Sequence, residues 1–112
     1  MGAPKEYVDA SKALALIYDT EQFGRVDVLE GVPDITPVQW LASATSWANS
    51  NGQPGHYGTA ELLSIRTGVE ALLTTSQDGQ HSVIEWLDGP IQVEVLGPTL
   101  DRDAVLKIAE TL

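Results

Sequence analysis

The stretch His81-Ser82-Val83-Ile84-Glu85-Trp86-Leu87-Asp88-Gly89-Pro90-Ile91-Gln92-Val93-Glu94-Val95 decides how this chain folds. Successive residues of a strand point to opposite faces of a sheet. Val83, Glu85 and Leu87 therefore share one face, and Ser82, Ile84 and Trp86 share the other. The turn Asp88-Gly89-Pro90 leads into Ile91-Gln92-Val93-Glu94-Val95, where apolar and polar residues alternate cleanly. The pattern predicts an antiparallel meander with one face buried and one wet.

Upstream, Gln77-Asp78-Gly79-Gln80 centres a two-residue Asp-Gly loop, the strongest short-range hairpin signal. Thr59–Arg66 and Val69–Thr75 are strand candidates on either side of Thr67-Gly68, with a helical turn at Glu70–Leu73 as the alternative. Downstream, Gly97-Pro98 stops the last strand, and Thr99 or Asp101 caps a helix that runs to Leu112. Leu100 is placed to staple onto the first turn of that helix. Val105, Ile108, Ala109 and Leu112 fall on one apolar stripe. Asp101 and Asp103 lie at the positive end of the helix dipole, and Asp103 stands four residues before Lys107, at ion-pair spacing. So short a helix is marginal alone, so the stripe must pack on the sheet.

The first half reads less sharply. Ala13-Leu14-Ala15-Leu16-Ile17-Tyr18 is a short apolar run, and Arg25-Val26-Asp27-Val28-Leu29-Glu30 has strand composition, so a hairpin through Phe23-Gly24 joins them. Thr36 and Pro37 fit the N-cap and first position of a helix. Trp40, Ala44 and Trp47 then align on one helical face, until Asn49-Ser50-Asn51-Gly52-Gln53-Pro54-Gly55 breaks the helix and begins a flexible loop. The expectation is one α+β domain over residues 13–112. An antiparallel sheet of five to six strands packs against a C-terminal helix, with a second helix near residues 37–50 as a further cover. Residues 1–12 are expected to form a poorly ordered polar segment.

The 112 residues fit one domain, and the 43% hydrophobic content suffices for one modest core. There is no cysteine, which removes disulfides, thiolate metal sites and a cysteine nucleophile. Six Lys and Arg against sixteen Asp and Glu give a net charge of −10, which argues against binding nucleic acid or anionic lipid. No apolar run reaches the roughly 20 residues that a membrane-spanning helix needs. The start, Met1-Gly2-Ala3-Pro4-Lys5, lacks the apolar core of a secretory signal.

Candidate chemistry is sparse. His56 falls in a glycine-rich loop and His81 beside a turn, an arrangement typical of surface histidines rather than of zinc ligands. Ser82, His81 and Asp78 lack a nucleophile elbow and an oxyanion loop. Asp101 and Asp103 with Glu85 and Asp88 lack the remaining ligands of a calcium loop, and the helix dipole explains the aspartate pair. The remaining acids read as solvated strand faces, with no pair singled out for glycosidase chemistry. No cofactor and no metal are expected. Trp40 and Trp47 are the candidate binding residues, with His56 and Tyr57 in the adjacent loop, although packing of the helix over the sheet is the preferred account of the tryptophans, because large aromatics are mostly buried. Trp86 is expected in the core.

The rhythm Ser64–Leu72, Val83-Ile84-Glu85-Trp86, Leu96-Gly97-Pro98-Thr99-Leu100-Asp101 and Val105–Leu112 resembles a C-terminal extracytoplasmic domain of unknown function. That domain occurs in many bacterial anti-sigma-factor-like and sporulation-associated membrane proteins. Ile17-Tyr18 and Phe23-Gly24-Arg25-Val26 are similar to its first hairpin. The resemblance is specific over residues 60–112; Thr111 stands where serine is usual, and the Trp40–Trp47 segment departs from the pattern. It implies a non-catalytic sensory or interaction domain of a membrane-anchored regulatory protein, outside the membrane, that binds a protein partner or a small apolar ligand. The alternatives are a lipoprotein-carrier-like binder of apolar ligands, a cytoplasmic location and, remotely, a small hydrolase.

Overall fold

Wherever the sequence alternates at a two-residue period between glycine turns, the chain forms strands. The computed structural model describes residues 5–8, 14–49 and 58–112. Its elements are β1 (Lys5–Val8), β2 (Leu14–Thr20), β3 (Gly24–Gly31), α1 (Pro37–Asn49), β4 (Gly58–Arg66), β5 (Val69–Ser76), β6 (Ser82–Asp88), β7 (Ile91–Leu96) and α2 (Arg102–Thr111). Among the described residues the strands form one seven-stranded sheet in the order β1-β2-β3-β7-β6-β5-β4, and every neighbouring pair is antiparallel. The α+β class, the meander, the C-terminal helix and the helix near 37–50 are those of the sequence reading. Five to six strands were expected; Lys5–Val8, within the segment expected to be poorly ordered, pairs with β2 and brings the number to seven. Glu70–Leu73 is strand, not a helical turn.

The Asp-Gly turn is wider than the sequence implies. Ser76 donates its N–H to the His81 carbonyl at 2.8 Å, so the loop is the four residues Gln77–Gln80. Asp78 explains the widening: its carboxylate accepts from the Ser76 hydroxyl and from the Gln80 N–H, and these bonds hold Asp78 below the usual aspartate pKa. Gly79 follows at φ 74°, a conformation that costs glycine little.

Alternation divides the sheet into two unlike faces. One carries Val26, Val28, Leu73, Ile84, Trp86, Val93 and Val95, which pack with Leu100, Val105, Ile108 and Ala109 into the main core. Asp101 is the N-cap of α2, its carboxylate accepting from the Ala104 N–H at 3.0 Å. Leu100 and Val105 are both fully buried on either side of this cap, as a hydrophobic staple requires. Gly97 permits the entry, because a Cβ there would lie 2.3 Å from the Arg25 carbonyl oxygen. Two details of α2 differ from expectation. Leu112 lies beyond the last turn, 47% exposed, because its N–H caps the Ile108 and Ala109 carbonyls, so the buried stripe ends at Ala109. Asp103 approaches Arg102 at 3.6 Å rather than Lys107, and it stands in open solvent where such pairs contribute little.

The opposite end of α2 is secured from the sheet. A register shift between Ser64 and Arg66 inserts one extra residue into β4, so Arg66 falls opposite Val69 on the α2 side. Its guanidinium then donates to the Ala109 carbonyl at 2.8 Å and lies 5.8 Å from the Trp86 ring centre. A cation thereby satisfies a helix C-terminal carbonyl while stacking on an aromatic face.

The second face is covered over β4 and β5 by α1, through Trp40, Ala44, Ala60 and Leu72. Burial on the two faces predicts a mutational contrast. Leu73→Ala in the main core is expected to lower the unfolding free energy by about 2–5 kcal/mol. Val38→Ser, on the outer side of α1, is expected to change it by less than about 0.5 kcal/mol. Urea denaturation of both variants measures the difference, and equal effects would contradict this assignment of faces.

Candidate functional site

The helix entrance sets the site. Thr36 and Gln39 form a reciprocal capping pair: Thr36 Oγ1 accepts from the Gln39 N–H at 3.2 Å, and Gln39 Oε1 accepts from the Thr36 N–H at 2.9 Å. From this start Trp40 points onto the sheet, 7% exposed, with Ala44 one turn later. The indole Nε1–H of Trp40 donates to Gln92 Oε1 at 3.1 Å. An indole N–H can only donate, so it fixes the Gln92 amide with its oxygen toward Trp40 and its NH2 toward β6. That NH2 donates to Glu85 Oε2 at 3.1 Å.

Glu85 on β6 stands directly opposite Glu94 on β7. Both carboxyl groups are largely covered, and burial raises both pKa values. Glu85 reaches about 7, first through desolvation and then through the charge of Glu94. Near neutrality the pair therefore holds a proton that two exposed glutamates would have lost.

Two shallow hollows meet at this pair. One, of about 190 Å³, lies between α1 and the sheet and is lined by Ile35, Trp40, Trp47, Leu72, Glu85 and Gln92 among others. The other, of about 230 Å³, runs over Leu29, Glu30, Gly31, Val32 and Pro33 to Gln92 and Glu94. Trp47 is 50% exposed at the rim, and Val32 and Ile35 are exposed nearby. A larger cavity of about 500 Å³ opens between the β2–β3 turn and the end of α2. There Thr20 Oγ1 is engaged within the turn, donating to the Gly24 carbonyl and accepting from the Phe23 N–H. The polar chain Trp40–Gln92–Glu85–Glu94 makes the smaller, composite groove the candidate site.

The structure separates the sequence-predicted residues. Trp40 is a buried anchor and Trp47 a half-exposed rim residue, so the two tryptophans do different work on one helix. His56 and Tyr57 lie outside the described residues. Trp86 is in the core. Ser82 is buried and hydrogen-bonded to Thr75 Oγ1 at 2.8 Å, whereas His81 is exposed with Nδ1 3.7 Å from Asp78, so the three residues form no relay. Asp101 and Asp103 belong to the start of α2, on the other face from Glu85. Among the described residues no three His, Asp or Glu side chains gather as metal ligands would.

Gln92 and Glu94 are residues that sequence reasoning did not single out, and Glu85 was weighed there only beside Asp88, Asp101 and Asp103 as a calcium ligand. A signal existed. With Gly89-Pro90 as a two-residue turn, pairing Asp88 with Ile91 forces Leu87 onto Gln92 and Glu85 onto Glu94. Like charges directly opposite on adjacent strands destabilise a sheet and invite explanation. Comparison with protein-family models, curated proteins and solved structures finds no match to this chain.

The raised Glu85 pKa has a definite sign for stability. Folding moves it from 4.5 to about 7, so between these values the folded chain binds more protons than the unfolded one. Its contribution therefore weakens as pH rises through that window and is least favourable above it. Glu85→Gln is expected to flatten this slope and to raise the unfolding free energy at alkaline pH by about 1–2 kcal/mol, after allowing for partial solvent screening. Urea melts of both proteins across the window measure it, and parallel profiles would contradict the assignment.

Proposed function

We propose that this chain is a non-catalytic recognition domain, the extracytoplasmic sensory part of a membrane-anchored, anti-sigma-like bacterial regulatory protein. The observation that carries the recognition reading is the concentration of exposed apolar side chains on α1 and its approach. Val32, Ile35 and Trp47 are exposed at the groove, whose floor is an antiparallel sheet, and Leu41 and Val38 are exposed farther around α1. Exposed apolar residues clustered around a partly polar recess are the usual make-up of a protein-binding surface. The setting rests on the resemblance of residues 60–112, in which the strand, glycine-turn and closing-helix order matches the observed β4–α2 succession. Binding in the groove biases the position of α1, which crosses from β3 to β4 and is held chiefly through Trp40 and Ala44. No helix of the described residues is long and apolar enough to cross a membrane, so in this reading the anchor belongs to another part of the parent.

A carrier of small apolar ligands is the second reading. It is favoured by the cavity beside α2, to which Phe23, Val26 and Ile108 contribute apolar wall.

The sequence has no cysteine, so Glu70→Cys on the exposed side of β5 supplies a unique thiol within the domain. In intact cells making the parent protein, freed of other cysteines, a membrane-impermeant maleimide is expected to label this thiol before lysis. Labelling only after lysis would place the domain on the cytoplasmic side. Combined Leu41→Ser and Trp47→Ala changes are expected to abolish the parent's regulatory response while the domain still unfolds cooperatively. An intact response in that variant would overturn recognition through α1.

A further inference from the structure

The groove has an unbalanced charge at its centre. Glu85 and Glu94 face each other across β6 and β7, and Gln92 supplies one donor to Glu85. Helix α1, which shares a hollow with Glu85 and reaches β7 through the Trp40–Gln92 bond, contains no charged residue. On the neighbouring β3, Asp27 adds a carboxylate that Arg25 already engages at 2.8 Å, and Glu30 adds another at the hollow beside Glu94. The other described cations of the domain proper are committed elsewhere: Arg66 on the last turn of α2, Arg102 on Glu61, and Lys107 on the outer side of α2. Two largely covered carboxyl groups thus sit between two hollows of mixed lining, whose apolar walls are Ile35 and Trp47 on one side and Val32 and Pro33 on the other.

We infer that this groove binds a peptide segment of a partner protein bearing an arginine or lysine between large apolar side chains. The cation lies on the Glu85–Glu94 pair, and its apolar neighbours occupy the two hollows. The inference rests on the recognition reading above and specifies its partner. Charge selects the occupant: a cation relieves the repulsion of the opposed carboxylates and replaces the solvent they have lost. The net charge of −10 draws basic segments toward the domain and repels a second copy of this chain. The hollows on both sides of the pair distinguish a peptide from a small amine, which reaches the carboxylates and leaves the hollows empty.

The test titrates the folded chain with the synthetic nonapeptide Ala-Ala-Leu-Ala-Arg-Ala-Leu-Ala-Ala, whose leucines two residues either side of arginine share its face when extended, and with the same peptide carrying glutamine for arginine. Indole N–H resonances of Trp40 and Trp47 report the position, and calorimetry gives the affinity. The arginine peptide is expected to bind about tenfold or more tightly than the glutamine peptide. The Glu85→Gln/Glu94→Gln variant, which removes repulsion without removing bulk, is expected to fold and to reduce that preference to about twofold or less. Acidification through the Glu85 titration is expected to reduce it in the unsubstituted protein.

Equal affinity for the two peptides, both weakened by Trp47→Ala, would overturn the cationic specificity and leave the recognition reading standing. An arginine preference that survives the double substitution would place the cation elsewhere and overturn the inference. So would binding of neither peptide, or binding of free arginine amide as tightly as the arginine peptide.

Discussion

Side chains along a strand must alternate between its two sides, and in β6 that constraint has opposite consequences for neighbouring residues. Ile84 and Trp86 are carried beneath α2 into the main core, and Glu85 between them is carried beneath α1. Neither placement is adjustable alone, because a one-residue slip would exchange them and put a carboxylate into the apolar core. The core under α2 thus fixes where the acidic pair must lie. Burial of Ile84 and Trp86 offsets the cost of covering Glu85.

The two helices consequently differ in what they contribute. α2 closes its face with Leu100, Val105, Ile108 and Ala109, is capped by Asp101 and is gripped at its far end by Arg66. α1 rests on a narrower contact, Trp40 and Ala44 over Ala60 and Leu72, supplemented by the indole bond to Gln92. A firmly sealed face gives the domain its stability. A lightly held face with exposed apolar residues leaves room for a partner.

Much of this architecture was legible because its signals are local. Asp101 (one of two candidate caps), Thr36 before Pro37, and the burial of Val93 and Val95 each depend on a few adjacent residues and are found in the structure. Ile91, by contrast, is exposed, and Gln92 and Glu94 are covered rather than wet. The site was less legible because it depends on pairing. That Trp40 reaches Gln92, fifty-two positions away, follows from where α1 crosses the sheet, which no short window contains. The acidic pair was accessible in principle, since the tight Gly89-Pro90 turn sets the register, yet Glu85 and Glu94 were taken separately as polar strand residues. The extra residue near Ser64 was hidden for a similar reason: a bulge shows itself only against the partner strand.

That bulge has a consequence beyond its grip on α2. β4 is the outermost strand of the sheet on its side, nine residues long, and such a margin offers unpaired peptide groups to any other extended chain. The break in register near Ser64, together with Glu61 and Arg66 on the same strand, interrupts the flat, uncharged ribbon that stacking of one molecule upon another requires. The residue that lets Arg66 turn inward also keeps this border from templating aggregation.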